Sequence, residues 1–367
     1  MFKYVLKRIG LALMTSVIVL SLTFILIKLL PFEKPIGLKP QQIAYYDKQV
    51  SLGYAVKSRQ AVMEGYGSPI YQTAPEDGPV IYYYQVPVMK QYASWIKNIV
   101  TKWDWGVSNK IEPNVNAMVI IGSRLNYSIR INILSVIFSV PLGILLGIIA
   151  ALKKNKMTDH FISTLVMVFI SIPSFVLITF LLLIFGYKLK WIPTVWPNPT
   201  DPVGEKILGY LLPVFCLSFG SICGYCRFTR AELCDVMESE YLLLARTKGL
   251  TKKQAILRHA LRNSMVPIVP SILAEFIGIL GGSMILEGLY GIPGIGKLFI
   301  ESLQGKDYNI LFVDMAVFTT ISLLAGVILD ISYGFIDPRI RMGAKKWWKI
   351  IISVSYTHLT LPTTSRV

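Results

Sequence analysis

Apolar residues along this chain gather into six long runs, at 9–30, 129–152, 161–187, 207–225, 265–289 and 310–336, separated by stretches that carry most of the charge. Each run is near the roughly 20 residues with which a helix crosses about 30 Å of hydrocarbon. Lipid provides no partner for a free N–H or C=O, so a crossing segment must close its hydrogen bonds within itself as a helix. The pattern predicts an all-α membrane protein with six transmembrane helices. The first run exceeds the roughly 7–15 apolar residues of a signal peptide, and Lys28-Leu-Leu-Pro-Phe at its end is no small-residue cleavage site, so it is expected to remain as an anchor. Pro173 should kink the third run.

Composition narrows the class. Hydrophobic side chains make up 53% of the 367 residues and charged ones 16%, with a mean hydropathy of +0.55. Soluble domains carry about 25% charged residues, and neither disordered chains nor disulfide-stapled secreted domains produce such long apolar runs. The net charge of +16 would point a soluble protein towards nucleic acid, but in a membrane protein excess Lys and Arg mostly sets topology, so no nucleic-acid partner is expected. Basic residues cluster before the first run (Lys3, Lys7, Arg8), after the second (Lys153, Lys154, Lys156), after the fourth (eight from Arg227 to Arg262) and after the sixth (Arg339 to Lys349). The third and fifth connections are poor in them, which puts both termini on the cytoplasmic side.

The first connection, 31–126, is then external. At about 95 residues it is too long for a plain link and is expected to carry structure of its own. Between Lys34 and Lys110 it has nine basic residues, against seven acids from Glu33 to Glu112, and it is dense in Tyr and Trp from Tyr45 to Trp105. Aromatic residues with a polar tip suit an interface, so a docking surface for an external partner and a self-packed cap resting on the headgroups are both open.

The fourth connection reads ESEYLLLARTKGLTKKQAILRHALRNSMVP from Glu238 to Pro267. A short helix is predicted between Tyr241 and Lys248, stopped by Gly249. Thr251-Lys-Lys-Gln254 fits a capping box that opens a second helix carrying Ile256, Leu257, Ala260 and Leu261 as far as Pro267. By composition alone, such a basic amphipathic knob is suited to lying on anionic lipid headgroups.

The knob resembles the loop by which permeases of ATP-binding-cassette importers touch their ATPases, in the form found in the oligopeptide/dipeptide subgroup. The resemblance rests on Ala245-Arg246-Thr247-Lys248-Gly249-Leu250, on Arg258-His259-Ala260-Leu261-Arg262-Asn263 and on Pro267. Leu243 and Leu244 depart from the Glu and Ala of the general loop. Gly282-Ser-Met-Ile-Leu-Glu287, Tyr290-Gly-Ile-Pro293-Gly294-Ile-Gly296, Lys306-Asp307-Tyr308 and Asp337-Pro338-Arg339-Ile340-Arg341 resemble the carboxyl-half signature of the first permease of such importers. Residues 1–31 and Trp105-Gly-Val-Ser108 fit as well. The resemblance implies the type I importer permease fold, with helix 1 in 1–30, an external insert in 31–126, and a core of helices 2–6 in 127–341 with its coupling loop at 238–264. It implies a permease subunit of an ATP-driven oligopeptide or dipeptide importer in a bacterial cell membrane. Its partners would be membrane lipids, a second similar permease, two cytoplasmic ATPase subunits, an external substrate-binding lipoprotein and the peptide. Tyr241, Ala245, Arg246, Lys248, Gly249, Leu250, Arg258, His259 and Asn263 would meet an ATPase. Nickel and glutathione stand as alternative substrates within the family.

Other candidate chemistry is thin. Gly291-Ile-Pro-Gly-Ile-Gly296-Lys297 fits seven positions of a P-loop, but Leu298 stands where the magnesium-binding hydroxyl belongs, so a tight turn of glycines and a proline is expected instead. His160, His259 and His358 are scattered, and no catalytic cluster or cofactor site is expected; ATP hydrolysis falls to separate subunits. Cys216, Cys223, Cys226 and Cys234 read as small packing residues between helices. Glu275, inside the fifth run, is a candidate wall of the translocation path, or else a group paired with a neighbouring helix that approaches at Gly278 and Gly282. Asp314 and Asp330 are expected at the membrane interfaces. An ion-coupled secondary transporter would show repeated halves and several intramembrane acids, whereas a receptor would leave the knob unexplained. Residues 342–367 form a tail, and 356–367, without a helical period, read as non-native sequence.

Overall fold

Helices that are apolar on every side, with the polar residues kept to their ends, are those that lipid or other helices surround. The computed structural model describes residues 2–73, 78–278 and 283–336. Its first helix, α1 (Phe2–Leu29), leads into a compact segment: α2 (Lys39–Ser51), the strands β1 (Ala55–Ser58), β2 (Tyr71–Gln72) and β3 (Tyr82–Gln85), then α3 (Val88–Lys102). The strands form one antiparallel sheet in the order β1-β3-β2, with Ala55 facing Gln85 and Tyr71 facing Tyr83. The remaining helices are α4 (Ala117–Leu152), α5 (Met157–Ile170), α6 (Ser174–Leu181), α7 (Val203–Met237), α8 (Glu240–Thr247), α9 (Lys252–Ala255), α10 (Leu261–Gly278), α11 (Met284–Tyr290), α12 (Ile295–Gly305) and α13 (Tyr308–Ile336). Two π-helical stretches, Leu182–Lys188 and Ile256–Ala260, continue α6 and join α9 to α10.

Among the described residues, four helices are long and apolar enough to cross a membrane: Val5–Leu29, Ala117–Leu152, Val203–Met237 and Tyr308–Ser332; α5 with α6 makes a fifth if that bent pair counts as one span. The third apolar run is therefore no single rod. It turns by 94° at the break that holds Pro173, whose ring cannot continue the hydrogen-bond ladder of α5. The fifth run is divided into α10 and α11, with 279–282, and so Gly282, outside the described residues. Pro267 does not end the helix that Thr251 opens. The turns run on through Pro267 and Pro270 to Gly278, each proline withdrawing one backbone donor without reversing the chain. The sheet and α12 are additions to the all-α reading of six rods, and α4 starts at Ala117, within the 31–126 range expected for the insert.

Glycines bring α4 and α7 together. A Cβ at Gly143 would stand 2.8 Å from the carbonyl oxygen of Ile222, and one at Gly147 would stand 2.7 Å from that of Cys226. Ser135 Oγ and Ser218 Oγ bond across the same contact at 3.0 Å. All four cysteines are buried free thiols, as packing residues should be. On the other flank α1 packs on α13, and Arg8 pairs with Asp330 at 2.9 Å. Asp314, near the start of α13, is completely buried, and neither carboxylate oxygen has a hydrogen-bond partner among the described residues.

The segment between α1 and α4 is sewn onto the helix ends. Phe24 of α1, Tyr54, Trp95 of α3, Ile120 of α4, Leu298 of α12 and Phe312 of α13 share one apolar core. Asp307, completely buried, accepts through Oδ2 from the Ser108 hydroxyl and from the backbone N–H groups of Asn109, Lys110 and Ile111 at 3.2, 3.0 and 3.2 Å. Beside it the Asn309 amide donates to the carbonyls of Val107 and Trp105 at 3.0 and 3.3 Å. Gly106, at φ +90°, makes room, because a Cβ there would lie 2.8 Å from Asn309 Nδ2.

Candidate functional site

The knob after α7 is built from two short helices and the turn between them. Thr251 Oγ1 accepts from the backbone N–H of Gln254 at 3.4 Å, and Gln254 Oε1 accepts from that of Thr251 at 3.1 Å, a reciprocal cap that starts α9. Gly249, at φ +95°, makes the turn between α8 and α9. Leu242, Ala255, Ile256 and Ala260 bury their side chains against Ala151, Leu233 and Cys234, which fixes the knob to the carboxyl ends of α4 and α7.

What faces outward is the other half of the pattern. Tyr241, Arg246, Lys248, Gly249, Arg258, His259 and Asn263 are exposed, Ala245 and Leu250 are half-buried, and Leu243, Leu244 and Leu257 are each more than half uncovered at 63%, 56% and 56%. Among the described residues no hydrogen bond or ion pair engages the side chains of Arg246, Lys248, Arg258, His259 or Asn263. The loop residues expected from the sequence are thus mostly turned outward on the knob, basic and apolar at once, and no described part of the chain covers them.

Two ion pairs brace this surface from behind. Arg230 of α7 donates through Nε and Nη2 to the two oxygens of Asp159 at 2.6 and 2.7 Å, and Asp159, only 1% exposed, also accepts from Asn155 N–H and the Ser163 hydroxyl. Lys154 pairs with Glu238, whose carboxylate holds the ammonium above its usual pKa. Together they tie the α4–α5 turn to the end of α7, where the knob begins.

At the opposite end, the glycine-rich turn that imitates a P-loop is already filled from within. Glu287, 3% exposed, accepts from the Ser128 hydroxyl at 2.7 Å, from Ser283 N–H at 3.2 Å and from Lys297 N–H at 3.1 Å, so its carboxylate occupies the amino end of α12. Gly296 packs there without a side chain, since a Cβ would stand 2.7 Å from Met284 N.

Residues 143–342, which take in the knob, α10 to α13 and the glycine-rich turn, match the model of the binding-protein-dependent transport system inner membrane component. The chain belongs to that family. Over 346 residues, 93% of this chain and 100% of the relative, it is 30% identical to the dipeptide transport system permease protein DppB of Lactococcus lactis. The oligopeptide transport system permease protein OppB of Haemophilus influenzae is 33% identical over 261 residues, covering 71% of this chain and 83% of that one. Among solved structures, an inward facing MetNI methionine ABC transporter is 14% identical, with a TM-score of 0.49 over 60% of this chain and 97% of that one.

Within this permease Glu275 stands apart from the knob but on the same helical run. It is half-buried on α10 beside the Tyr225 hydroxyl of α7, which donates to the Ser271 carbonyl at 3.2 Å. A Cβ at Gly278 would meet nothing within 4 Å, so no described part of the chain makes the close approach expected there. Sequence reasoning missed the bracing pairs. Asp159 is an acid in a basic turn, and that local reversal of sign was the available signal.

Proposed function

We propose that this chain is the membrane-spanning permease subunit of an ATP-driven importer of oligopeptides or dipeptides, and that Tyr241–Asn263 is where an ATPase docks. The observation that carries this reading is the uncovered basic and apolar surface of the knob, anchored through Leu242, Ile256 and Ala260 on a helix pair that glycines hold in close contact. Peptide is the favoured cargo because the relatives that match most of the chain are dipeptide and oligopeptide permeases; nickel and glutathione are the outcomes to be distinguished. Both termini and the knob lie on the cytoplasmic side, and 30–116 outside, in keeping with the short-loop lysines and arginines. A second similar permease completes the path, two ATPase subunits hydrolyse ATP, and an external binding lipoprotein delivers cargo to the external segment.

The mechanism follows from continuity. From Lys252 to Gly278 the helical turns run without a break, so a displacement of the knob carries to Glu275, about 35 Å away at 1.5 Å per residue. Closure of the ATPase pair on ATP moves the knob, α10 follows, and the spans repack between inward-open and outward-open states, a two-state element biased by a distant ligand.

Gly249→Val tests the docking surface. A β-branched residue resists the positive φ of the turn by about 1–2 kcal/mol, while the space around it stays open. Purified in mild detergent, the unsubstituted chain should bring down ATPase subunits and a lipoprotein carrying peptide. The variant should insert normally yet lose ATPase association and uptake. Normal uptake by the fully expressed variant would overturn the docking role, and nickel or glutathione on the lipoprotein would replace peptide as cargo.

A further inference from the structure

The helix α3, Val88–Lys102, has one face that no described part of the chain covers. Met89, Ala93, Ile96, Val100 and Trp103 follow one another at spacings of four, three, four and three, a stripe along one side of the helix. Met89, Val100 and Trp103 are 66%, 77% and 63% exposed. The opposite face buries Gln91, Trp95 and Asn98. Charge is segregated as well. The external segment is nearly balanced overall, yet Lys90, Lys97 and Lys102 are the only charges on α3, and it holds no acid.

The position of α3 along α1 says what covers the stripe. Tyr92 and Ser21 bond through their hydroxyls at 2.7 Å, and Trp95 stacks on Phe24 with ring centroids 4.9 Å apart. Ser21 and Phe24 precede the end of α1 at Leu29 by eight and five residues, which is about 12 and 7.5 Å along the axis. The helix α3 therefore lies below the end of a membrane-spanning helix, within the layer that aromatic residues and interfacial helices occupy, about 5–10 Å into the headgroup and acyl boundary. The neighbouring turns of α1 leave Leu22, Leu26 and Leu29 uncovered at 58%, 64% and 67%, so α1 presents exposed apolar surface at the same height as the stripe of α3.

We propose that α3 is an interfacial helix, seated in the membrane leaflet at the Leu29 end of α1, with Met89, Ala93, Ile96, Val100 and Trp103 against acyl chains and Lys90, Lys97 and Lys102 at the phosphates. It holds the external segment at a fixed height and tilt over the helix ends. The stripe is then closed to protein partners, which leaves α2 and the sheet as the accessible surface. The assignment needs only that α1 spans the bilayer, and it stands whether or not the cargo is a peptide.

The test is a depth measurement on the full chain, with the subunits that purify with it, in nanodiscs of phosphatidylethanolamine and phosphatidylglycerol. Ile96→Cys, Val100→Cys and, as a water-facing control, Lys57→Cys carry a spin label; the native cysteines are buried. The ratio of collisions with oxygen to collisions with a water-soluble nickel chelate should be several-fold higher at positions 96 and 100 than at 57. Equal ratios at all three would place the stripe in water and overturn the proposal. Labels at 96 and 100 that are shielded from both quenchers would overturn it too, by showing the face packed against protein.

Discussion

Asp307 shows how much one side chain organises. Its Oδ2 gathers one hydroxyl and three backbone N–H groups from 108–111, joining Trp105-Gly-Val-Ser108 to Lys306-Asp307-Tyr308 across nearly two hundred residues of chain. Glu275 poses the opposite problem, since its surroundings in this chain are sparse. If it lines the path, Glu275→Gln and Glu275→Ala should both alter uptake or cargo preference while the complex assembles normally. If its contact with Tyr225 is structural, Gln should be mild, and Ala should lower the yield of folded protein by leaving a hydroxyl with one partner fewer, a loss of about 1 kcal/mol. Unchanged uptake and unchanged yield in both variants would remove either role.

At the scale of elements, the α4–α5 turn and α7 act as one unit because Asp159 and Arg230 are bonded at two points. Arg230→Ala leaves a carboxylate that is 1% exposed without its counter-charge, which costs roughly 3–5 kcal/mol. Thermal unfolding of the purified variant should show a clear loss of stability, and ATPase association should weaken with it, since the knob springs from the end of α7. Asp159→Leu combined with Arg230→Met should recover most of the stability, because an apolar pair leaves no charge unpaired. An unchanged melting temperature for Arg230→Ala would show that the pair carries no weight. The glycines of α4 work at the same scale: Gly143 and Gly147 set the distance at which these helices meet.

For the whole molecule the decisive property is sidedness. The segment between α1 and α4 shares its core with α1, α4, α12 and α13, so it is joined to the helix bundle and does not swing as a tethered domain. Glu33 receives Lys110 and Lys306 at 2.9 and 3.2 Å, and these two ammonium groups hold its carboxyl below the usual carboxylate range. Ser68→Cys, on the exposed side of the segment, should react with an impermeant thiol reagent in intact cells, against a background of four buried native thiols. Labelling only after lysis would invert the topology and would place the knob on the side where no ATPase can reach it.

The chain by itself determined that long apolar helices hold the first, second, fourth and sixth runs, because hydrocarbon forbids unpaired backbone groups and about 20 apolar residues in a row have no other stable form there; the extent of the bend in the third run and the division of the fifth were not legible in it. It also determined the knob, whose capping box, glycine turn and basic exposed face are local patterns written within a few residues of one another. Tertiary structure alone decided which polar groups meet. Ser128 with Glu287, Ser108 with Asp307 and Asp159 with Arg230 are separated by many residues, and no periodicity reports such distances. It likewise decided that Asp314, written near a helix end, is buried, and that Pro267 and Pro270 lie within a helix that continues. The reason is common to all of these. Burial and pairing depend on what neighbouring helices bring to the same depth, and that is a property of the packed bundle.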